Sequence, residues 1–369
     1  MRKVGIAASG LTEFSKNDLS IDTLMLSAIK SLFDESQNLS QTDIDVVITS
    51  TNDNNKYLAN IVSELSGISP KTAHTIESLC NSGTSGIVSA YSYVASGLAD
   101  SVLVIGAEKS DSPGLVLEWD KSRGQYTHPI YWSSMFTNAH MRKYGTTLED
   151  IAYVSAKNHR NAIHNPYAFF KKEFTIDEIM KSKPLTENLR LYDCSMPCDG
   201  AAAVLVSAEN TIKKFTDSPV WISGIGQKSI SAGFTKNEEL TSMSSVIQSA
   251  SSACQMAKKT ISDIDVAELH DAFGICEIIE LEDLGFAPKG KGSTYVKNLY
   301  DTDDKKINPR GGLIGSGHPL GATGIAQTIE IFQQLQGKAN KRQVEGAKTG
   351  LVQNMSAAAT SSTVLILES

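Results

Sequence analysis

Two stretches of the chain repeat the same spacing of a reactive residue and two glycines, and this repeat limits the possible folds. In the first stretch Cys80 is followed three and six residues later by Gly83 and Gly86, and in the second His318 is followed by glycines at the same two distances. A run of small and apolar residues comes after each, which predicts two buried helices that begin near the reactive residues. Glycines at these positions allow a backbone or a ligand to come close.

A second duplicated element supports the idea of two similar halves. The tetrapeptide Asp-Ile-Asp-Val occurs at residues 43–46 and again at 263–266, each time at the start of a strand-like run. A helix-like segment precedes each copy, and we predict that the tetrapeptide closes that helix. In the first half, apolar residues from Ile21 to Leu32 recur at helical spacing. A weaker run covers residues 243–257.

The length of 369 residues fits two domains or one duplicated domain. We place the boundary at Ser218 and Pro219, which gives an N-terminal half at 1–218 and a C-terminal half at 219–369. Residues from about 110 to 191 alternate aromatic and charged side chains without a strand-like run, which predicts a helical insertion in the first half. Between residues 157 and 190, seven Lys or Arg face four Asp or Glu. This local excess indicates either a solvated helical face or a seat for an anionic ligand.

Composition excludes several classes of protein. The net charge of −7 gives no electrostatic basis for binding nucleic acid or a membrane surface. No apolar run approaches the roughly 20 residues of a membrane span, and the first eight residues do not form a signal peptide. Five cysteines without a framework spacing favour free thiols in a reducing compartment. We therefore predict a cytoplasmic protein.

The reactive residues themselves suggest nucleophilic chemistry. Unpaired N–H groups and the helix dipole stabilise a thiolate at a helix N-terminus, so Cys80 is a candidate nucleophile, although a buried structural cysteine has the same appearance. If the two halves pack together, His318 meets Cys80 and activates it. His270 ends a predicted strand and is either catalytic or structural. Cys194 and Cys198 lack a second pair of ligands, so no metal site is predicted.

Four motifs together resemble the thiolase family, in its order and at its spacing. They are Cys80 with its two glycines, Asp-Gly-Ala-Ala-Ala at 199–203, His-Asp-Ala-Phe at 270–273 and Gly-His-Pro-Leu-Gly-Ala-Thr-Gly at 317–324. The His-Asp-Ala-Phe motif is more similar to archaeal acetoacetyl-CoA thiolases and to the sterol-carrier-type branch. The resemblance covers essentially the whole chain. It implies a five-layered α/β/α/β/α fold from two duplicated halves with a helical loop insertion, assembled as a homodimer or homotetramer.

The resemblance also implies a function, that of an acetyl-CoA C-acetyltransferase (acetoacetyl-CoA thiolase). Such an enzyme condenses two acetyl-CoA molecules reversibly in a Claisen reaction, through an acyl group on Cys80. On this interpretation His318 takes the Cys80 proton and His270 donates to a developing oxyanion. Coenzyme A enters as part of the acyl-CoA substrate, held by the loop insertion, and no other cofactor is implied. Archaeal relatives further imply hydroxymethylglutaryl-CoA synthase and a small zinc-ribbon/OB-fold protein as partners, in the mevalonate pathway.

The chain departs from the family where a second catalytic cysteine is expected. Residues 354–360 read Asn-Met-Ser-Ala-Ala-Ala-Thr, and Ala272 stands where sterol-carrier-type enzymes have cysteine. Cys276, one helical turn further on, is a candidate base for the α-carbon, and His318 acting a second time is another. Three alternatives therefore stay open. They are a longer-chain 3-ketoacyl-CoA thiolase, a decarboxylating enzyme of the ketoacyl synthase kind, and an acyl-CoA-binding or lipid-transfer subunit that acts with partners.

Overall fold

The computed structural model describes residues 2–36, 38–112, 116, 124–233 and 239–369. In this part of the chain, nine strands form one large sheet and two form a separate ribbon. The strands of the large sheet are β1 (Val4–Leu11), β2 (Val46–Ser50), β3 (Thr72–Ile76), β4 (Ser101–Glu108), β7 (Gly200–Ala208), β8 (Val220–Ser229), β9 (Val266–Glu268), β10 (Thr349–Ser356) and β11 (Ser361–Glu368). The ribbon consists of β5 (Pro184–Thr186) and β6 (Leu189–Arg190).

The helices lie on both faces of the large sheet and between its two ends. In chain order they are α1 (Ile21–Glu35), α2 (Leu58–Leu65), α3 (Ser82–Ser96), α4 (Pro129–Tyr144), α5 (Leu148–Ala162), α6 (Ile176–Met180), α7 (Glu209–Ile212), α8 (Ser244–Ala257), α9 (Gly274–Leu284), α10 (Gly292–Thr302), α11 (Gly312–Ser316) and α12 (Leu320–Leu335). The predicted α1 is present, and its apolar residues are buried at the predicted spacing. The weaker run at 243–257 forms α8.

The strand order shows the internal duplication directly. It runs β3-β2-β4-β7-β1 through the first half and continues β8-β11-β10-β9 through the second. In each half a parallel pair (β2 with β4, β9 with β10) is followed by two antiparallel pairs in the same sequence. The halves join where β1 pairs with β8 through two residue pairs. The predicted duplication is therefore confirmed.

Helices complete the layers around this sheet. Helix α1 packs on β1, β4 and β7, while α8 packs on β8 and β11, so each half has its own outer helix. Helices α3 and α12 contact each other, and α12 touches strands of both halves, which places this pair between the two ends of the sheet. Accordingly α12 is buried along nearly its whole length, as expected for a central helix. This is the predicted five-layered α/β/α/β/α arrangement.

The repeated tetrapeptide has a different purpose from the one predicted. It does not close α1 or α8, since α1 ends at Glu35 and α8 at Ala257. Asp43 and Asp263 instead close capping boxes of short 3₁₀ turns. Asp45 accepts backbone N–H bonds of 2.7 and 3.3 Å at the start of β4, and Asp265 accepts bonds of 2.8 and 2.9 Å at the start of β10. The motif therefore fixes where the central strand of each half begins.

The repeated glycines have a packing explanation in the contact of α3 with α12. A Cβ atom at Gly324 would lie 2.8 Å from the backbone nitrogen of Thr84, and one at Gly83 would lie 3.0 Å from the carbonyl oxygen of Gly321. The backbone cannot yield at such distances without moving a whole helix. The glycines thus allow the two helices to approach closely enough for the residues at their N-termini to meet.

Between β4 and β7 the described chain forms α4, α5, α6 and the ribbon of β5 and β6. This ribbon could not be predicted, because its two strands are too short for an alternating pattern to be visible in the sequence. Residues 113–115 and 117–123 of the predicted insertion lie outside the described residues. The insertion limits of about 110 and 191, and the division at 218 and 219, stay predictions. None of the described helices is both long and apolar enough to cross a lipid bilayer.

Candidate active site

The three residues with predicted catalytic roles meet at the centre of the molecule. Cys80 lies in a 3₁₀ turn directly before α3, His318 lies two residues before α12, and His270 follows β9. Their ligand atoms, the sulfur and one ring nitrogen from each histidine, all lie within 4.8 Å of one another. The histidine rings stand edge to face with centroids 5.1 Å apart.

The turn that presents Cys80 is held in an unusual conformation. Leu79 has a φ of 49°, a left-handed value that costs energy for a residue with a branched side chain. Ser82 accepts a 2.7 Å bond from the backbone N–H of Ser78, and its own hydroxyl donates to the Leu79 carbonyl. Ser356 accepts from the N–H of Asn81 and donates to the Ser78 carbonyl. These bonds fix the direction of the Cys80 side chain.

The alanine-rich loop after β10 faces the same sulfur. Ala357, Ala358 and Ala359 have φ values of 30°, 59° and 58°, three left-handed residues in succession without a glycine. Each costs roughly 1–2 kcal/mol, so other contacts must hold the loop in place. Among them, Thr360 N–H donates to Ser356 O (3.0 Å) and the Ser245 hydroxyl donates to Ala359 O (2.6 Å). The backbone N–H groups of Ala357 and of Cys80 itself lower the pKa of the Cys80 thiol.

Burial nevertheless dominates the ionisation of this pair. It raises the pKa of Cys80 to about 12 and lowers the pKa of His318 to about 3, with Arg310 lowering the latter further. Burial also lowers the pKa of His270 well below its usual value, and the neighbouring His318 adds to this. At neutral pH the site therefore holds a neutral thiol and two neutral imidazoles rather than a preformed ion pair.

The hydrogen bond of His318 determines which of its nitrogens is free. Its Nδ1 lies 2.7 Å from the hydroxyl oxygen of Thr323, and that hydroxyl donates to the Pro319 carbonyl at 2.9 Å. Since the Thr323 proton is used in this way, the oxygen accepts from Nδ1–H. The lone pair is then on Nε2. His318 can consequently accept a proton at Nε2, which is what a base for Cys80 requires.

The three residues open into an apolar cavity of about 250 Å³. Residues between β4 and β7 form one side of it, and the motif residues form the other. The apolar lining comprises Leu79, Pro129, Ile130, Trp132, Leu185, Leu191, Met196, Pro197, Ala272, Phe273, Leu320, Met355, Ala357 and Ala358. Three further lining residues, His128, Cys194 and Ser195, have polar groups. Such a cavity suits an acyl group whose reactive carbonyl lies at Cys80.

The structure does not bring Cys276 to this site. It is fully buried on α9 and does not line the cavity, and burial raises the pKa of its thiol well above the usual value. The thiol that lines the cavity besides Cys80 is Cys194, which sequence reasoning weighed only as a metal ligand. Its S–H donates to the carbonyl of Arg190 at 3.4 Å, and burial raises its pKa as well. Neither thiol is suited to act as a base, and the predicted absence of a metal stays a prediction.

The local excess of basic residues has a structural explanation. Lys157 is completely buried and forms an ion pair of 3.0 Å with Glu277. Other basic residues of the segment 157–190 also have acidic partners: Arg160 with Asp303, Lys171 with Glu13, Lys172 with Glu178 and Lys181 with Asp177. These pairs favour the interpretation as a solvated or internally paired surface over a seat for an anionic ligand.

A cysteine beside two neutral histidines in an apolar cavity defines a site for acyl transfer through a thiol. Comparison with known protein families agrees with this class. The family described as "Thiolase, N-terminal domain" matches residues 4–210, and "Thiolase C-terminal domain-like" matches residues 226–369. The chain therefore belongs to the thiolase family, and it is an enzyme of the acyltransferase class.

Curated relatives agree with this assignment. An "Acetyl-CoA acetyltransferase" of Methanothermobacter thermautotrophicus is 38% identical over 311 residues, which cover 81% of each chain. One of the same name from Methanocaldococcus jannaschii is 34% identical over 390 residues, covering 99% of this chain and 98% of that protein. Human "Sterol carrier protein 2" is 36% identical over 312 residues, and the match covers 75% of this chain but 55% of that longer protein.

Solved structures show the same fold. The "Ltp2-ChsH2(DUF35) aldolase" superposes with a TM-score of 0.87 at 25% identity and covers 100% of this chain and 98% of that one. Human mitochondrial 3-ketoacyl-CoA thiolase superposes with a TM-score of 0.78 at 20% identity, covering 100% and 99% of the two chains. The second likeness concerns the fold alone. The predicted thiolase fold is confirmed.

Proposed function

We propose that this protein is an acetyl-CoA C-acetyltransferase that works through an acyl group on Cys80. The observation that carries the proposal is the meeting of Cys80, His270 and His318 within 4.8 Å at the end of an apolar cavity. The likeness to the archaeal relatives, one of them over nearly the whole chain, supports the choice of acetyl-CoA. Coenzyme A is then part of the substrate, and the chemistry needs no other cofactor.

In the first half-reaction Cys80 becomes acylated. His318 takes the thiol proton at Nε2 while the sulfur attacks the thioester carbonyl carbon. The negative charge that develops on the carbonyl oxygen is stabilised by the N–H groups of Cys80 and Ala357, the two backbone groups that lower the pKa of the thiol. The carbon–sulfur bond to coenzyme A then breaks, and the departing thiolate receives the proton from His318. This transfer restores the lone pair on Nε2.

In the second half-reaction a second acetyl-CoA loses a proton from its methyl group. With Cys276 outside the cavity, His318 is the base whose geometry suits this step. The resulting enolate oxygen accepts a hydrogen bond from His270, and the carbanion attacks the acyl carbon on Cys80. Cys80 leaves as the thiolate and recovers its proton from His318. The products are acetoacetyl-CoA and the original enzyme.

Mass spectrometry after incubation with acetyl-CoA and with acetoacetyl-CoA tests the proposal. We expect an acetyl increment on the tryptic peptide that contains Cys80, and none in Cys80→Ala, which should keep its fold because alanine suits a crowded site. Cys276→Ala serves as the matched control and should acylate like the wild type. An acetyl group on a different peptide would refute the assignment of the nucleophile.

A second candidate function is an acyl-binding or lipid-transfer subunit that needs a partner to complete a reaction. It is favoured by the loop at 354–360, which offers no second thiol, together with the likeness to the Ltp2-ChsH2(DUF35) aldolase. Hydroxymethylglutaryl-CoA synthase and a small zinc-ribbon/OB-fold protein are the proposed partners, with a homodimer or homotetramer as the core assembly, in the mevalonate pathway of the cytoplasm. Acylation of Cys80 without condensation by the isolated protein would favour this second function.

The length of the acyl chain that the proposed thiolase accepts is a separate question. Most residues that line the cavity of about 250 Å³ are apolar, which also suits acyl groups longer than acetyl. A series of 3-ketoacyl-CoA substrates from four to ten carbons, compared by kcat/KM for thiolysis, separates an acetoacetyl-CoA thiolase from a longer-chain 3-ketoacyl-CoA thiolase.

A further inference from the structure

We propose that Gln327 and Asn354 are positioning residues that hold His270 in the tautomer with its proton on Nε2. This inference rests on the proposed role of His270 as a hydrogen-bond donor to the substrate oxygen. It concerns a chain of three side chains from three elements: α12, β10 and the segment after β9. All three side chains are almost completely buried.

The orientation of the chain is set at Gln327 on α12. Its amide nitrogen lies 2.9 Å from the Leu269 carbonyl oxygen and 3.1 Å from that of Gln353. Carbonyl oxygens only accept hydrogen bonds, so both amide protons point at the backbone. The assignment of nitrogen and oxygen in this side chain follows from these two acceptors. Its Oε1 therefore faces the next member, Asn354.

Asn354 on β10 passes this constraint to the imidazole. Its amide nitrogen lies 2.8 Å from Oε1 of Gln327 and 2.9 Å from Nδ1 of His270. Because Oε1 only accepts, the atom of Asn354 that faces it must be the nitrogen, and the second amide proton points at Nδ1. The opposite arrangement would set two oxygens against each other. Nδ1 of His270 is thus an acceptor with a free lone pair.

A neutral imidazole with a lone pair on Nδ1 carries its proton on Nε2. Among the described residues no hydrogen bond reaches Nε2, and His270 lines the cavity, so this proton is available to a substrate oxygen. The backbone of His270 is held as well, since its N–H donates to Oε1 of Gln353 at 3.0 Å.

The two histidines of the site are therefore set in opposite tautomers by different kinds of neighbour. Thr323 accepts from Nδ1–H of His318 and leaves a lone pair on Nε2, whereas Asn354 donates to Nδ1 of His270 and leaves a proton on Nε2. As neutral rings, His318 therefore presents an acceptor to the cavity and His270 presents a hydrogen-bond donor. A substrate would then react only in the orientation that places its carbonyl oxygen at His270 and the proton to be removed at His318.

Nitrogen-15 NMR of the histidine rings in the full-length protein tests the tautomer without reference to activity. The chain has seven histidines, and a spectrum of His270→Ala identifies the signals of His270. We expect Nε2 to be protonated and Nδ1 to be unprotonated at pH 7 in the wild type. A wild-type spectrum with the proton on Nδ1 would overturn the inference, whatever the enzyme catalyses.

Asn354→Asp supplies the functional arm, because it keeps the shape and replaces the donor by an acceptor. We expect the proton of His270 to move to Nδ1 and condensation to fall by about 10²–10³, the usual effect of one lost oxyanion donor. Acylation of Cys80, measured by mass spectrometry, should change much less. Condensation and acylation that fall equally would indicate a general structural defect and contradict a positioning role.

Gln327→Glu provides an independent variant with a matched control on the same helix. Gln334 is also buried on α12, and its amide nitrogen donates to the Arg342 carbonyl at 2.7 Å and to Glu330 at 3.0 Å, with no contact to His270. Gln334→Glu should lose stability to a similar degree while it keeps the tautomer and the ratio of condensation to acylation. The same ratio in both variants would contradict the inference. If wild-type Cys80 acquires no acyl group, the proposed function fails, while the NMR result still decides the tautomer.

Discussion

The two halves of the molecule share a topology but contribute very different things to the site. The first half presents Cys80 before α3 and adds α4, β5 and the loop at 194–197, which line one part of the cavity. The second half supplies both histidines, the loop at 356–360 and the buried amides that orient His270. One half therefore carries the thiol, and the other carries the side chains that surround and orient the reacting groups. Helices α3 and α12 begin at equivalent places in the two halves, but Cys80 lies before α3 and His318 lies before α12. The two residues that meet in the site are therefore chemically different.

The largest effect should come from removing the base of the second half. His318→Ala should slow acylation of Cys80 by acetyl-CoA by about 10²–10⁴, the usual range for general base catalysis. Single-turnover release of coenzyme A measures this rate. Thr323→Val, which removes the hydroxyl that accepts from Nδ1–H, should show a smaller loss in the same direction. Acylation at the wild-type rate in His318→Ala would assign the base elsewhere.

Removing the donor should separate the two half-reactions. His270→Ala should lower condensation by about 10²–10³ and leave alkylation of Cys80 by iodoacetamide largely intact, because His270 acts on the enolate rather than on the thiol. Steady-state formation of acetoacetyl-CoA and the alkylation rate are measured on the same preparation. Equal losses in both assays would contradict the division of roles between the histidines.

The pH dependence of Cys80 alkylation tests whether Cys80 and His318 are both neutral in the free enzyme. Because the pKa of Cys80 is raised to about 12, its thiolate fraction is small at pH 7 and grows as pH rises. The alkylation rate of the free enzyme should therefore increase about tenfold per pH unit between pH 7 and 10, following the thiolate fraction. A plateau that begins between pH 5 and 7 would mean that Cys80 and His318 form an ion pair.

Equivalent glycines in the two halves should respond unequally to substitution. At Gly324 an added Cβ meets the backbone of Thr84 at 2.8 Å, whereas at Gly86 it meets side-chain atoms of Ser50 and Val104, at 2.7 and 2.9 Å, and no backbone atom. Gly324→Ala should lower the free energy of unfolding by about 1–3 kcal/mol and also slow acylation, since it separates Cys80 from His318. Gly86→Ala should cost less and spare acylation. Urea denaturation and single-turnover assays decide between these outcomes.

The smallest effect is expected at Cys276. Cys276→Ala should exchange deuterium into the methyl group of acetyl-CoA as fast as the wild type, because the thiol does not line the cavity. Slower exchange at unchanged acylation would restore Cys276 as the base for the α-carbon. Wild-type acylation with neither exchange nor condensation would favour the subunit that requires a partner.

The duplicated fold and the convergence of Cys80 with His318 could be predicted from local sequence patterns. The glycine spacing after Cys80 and His318 is a local pattern that is visible in the sequence. Its structural result is the close approach of α3 and α12. The same holds for α1, whose buried face follows from helical periodicity. The sequence could not indicate the ribbon of β5 and β6 or the true purpose of the repeated tetrapeptide, because both depend on hydrogen bonds to other segments.

The surroundings of the candidate site depend on contacts between distant segments, which the sequence does not show. Cys276 is near Ala272 in sequence, yet its helix directs it into the core, while Cys194, which the sequence suggested only as a metal ligand, lines the cavity. The loop of left-handed alanines after β10 is held by a residue that is distant in the sequence, Ser245. The hydrogen-bonded side chains of Gln327, Asn354 and His270 likewise come from distant segments. The pKa values of these buried residues are shifted mainly by burial, whereas the tautomers of the two rings are set by their hydrogen-bond partners Thr323 and Asn354. A sequence motif can therefore indicate which residue is a candidate for catalysis. The protonation state of that residue depends on the groups that surround it in the folded protein.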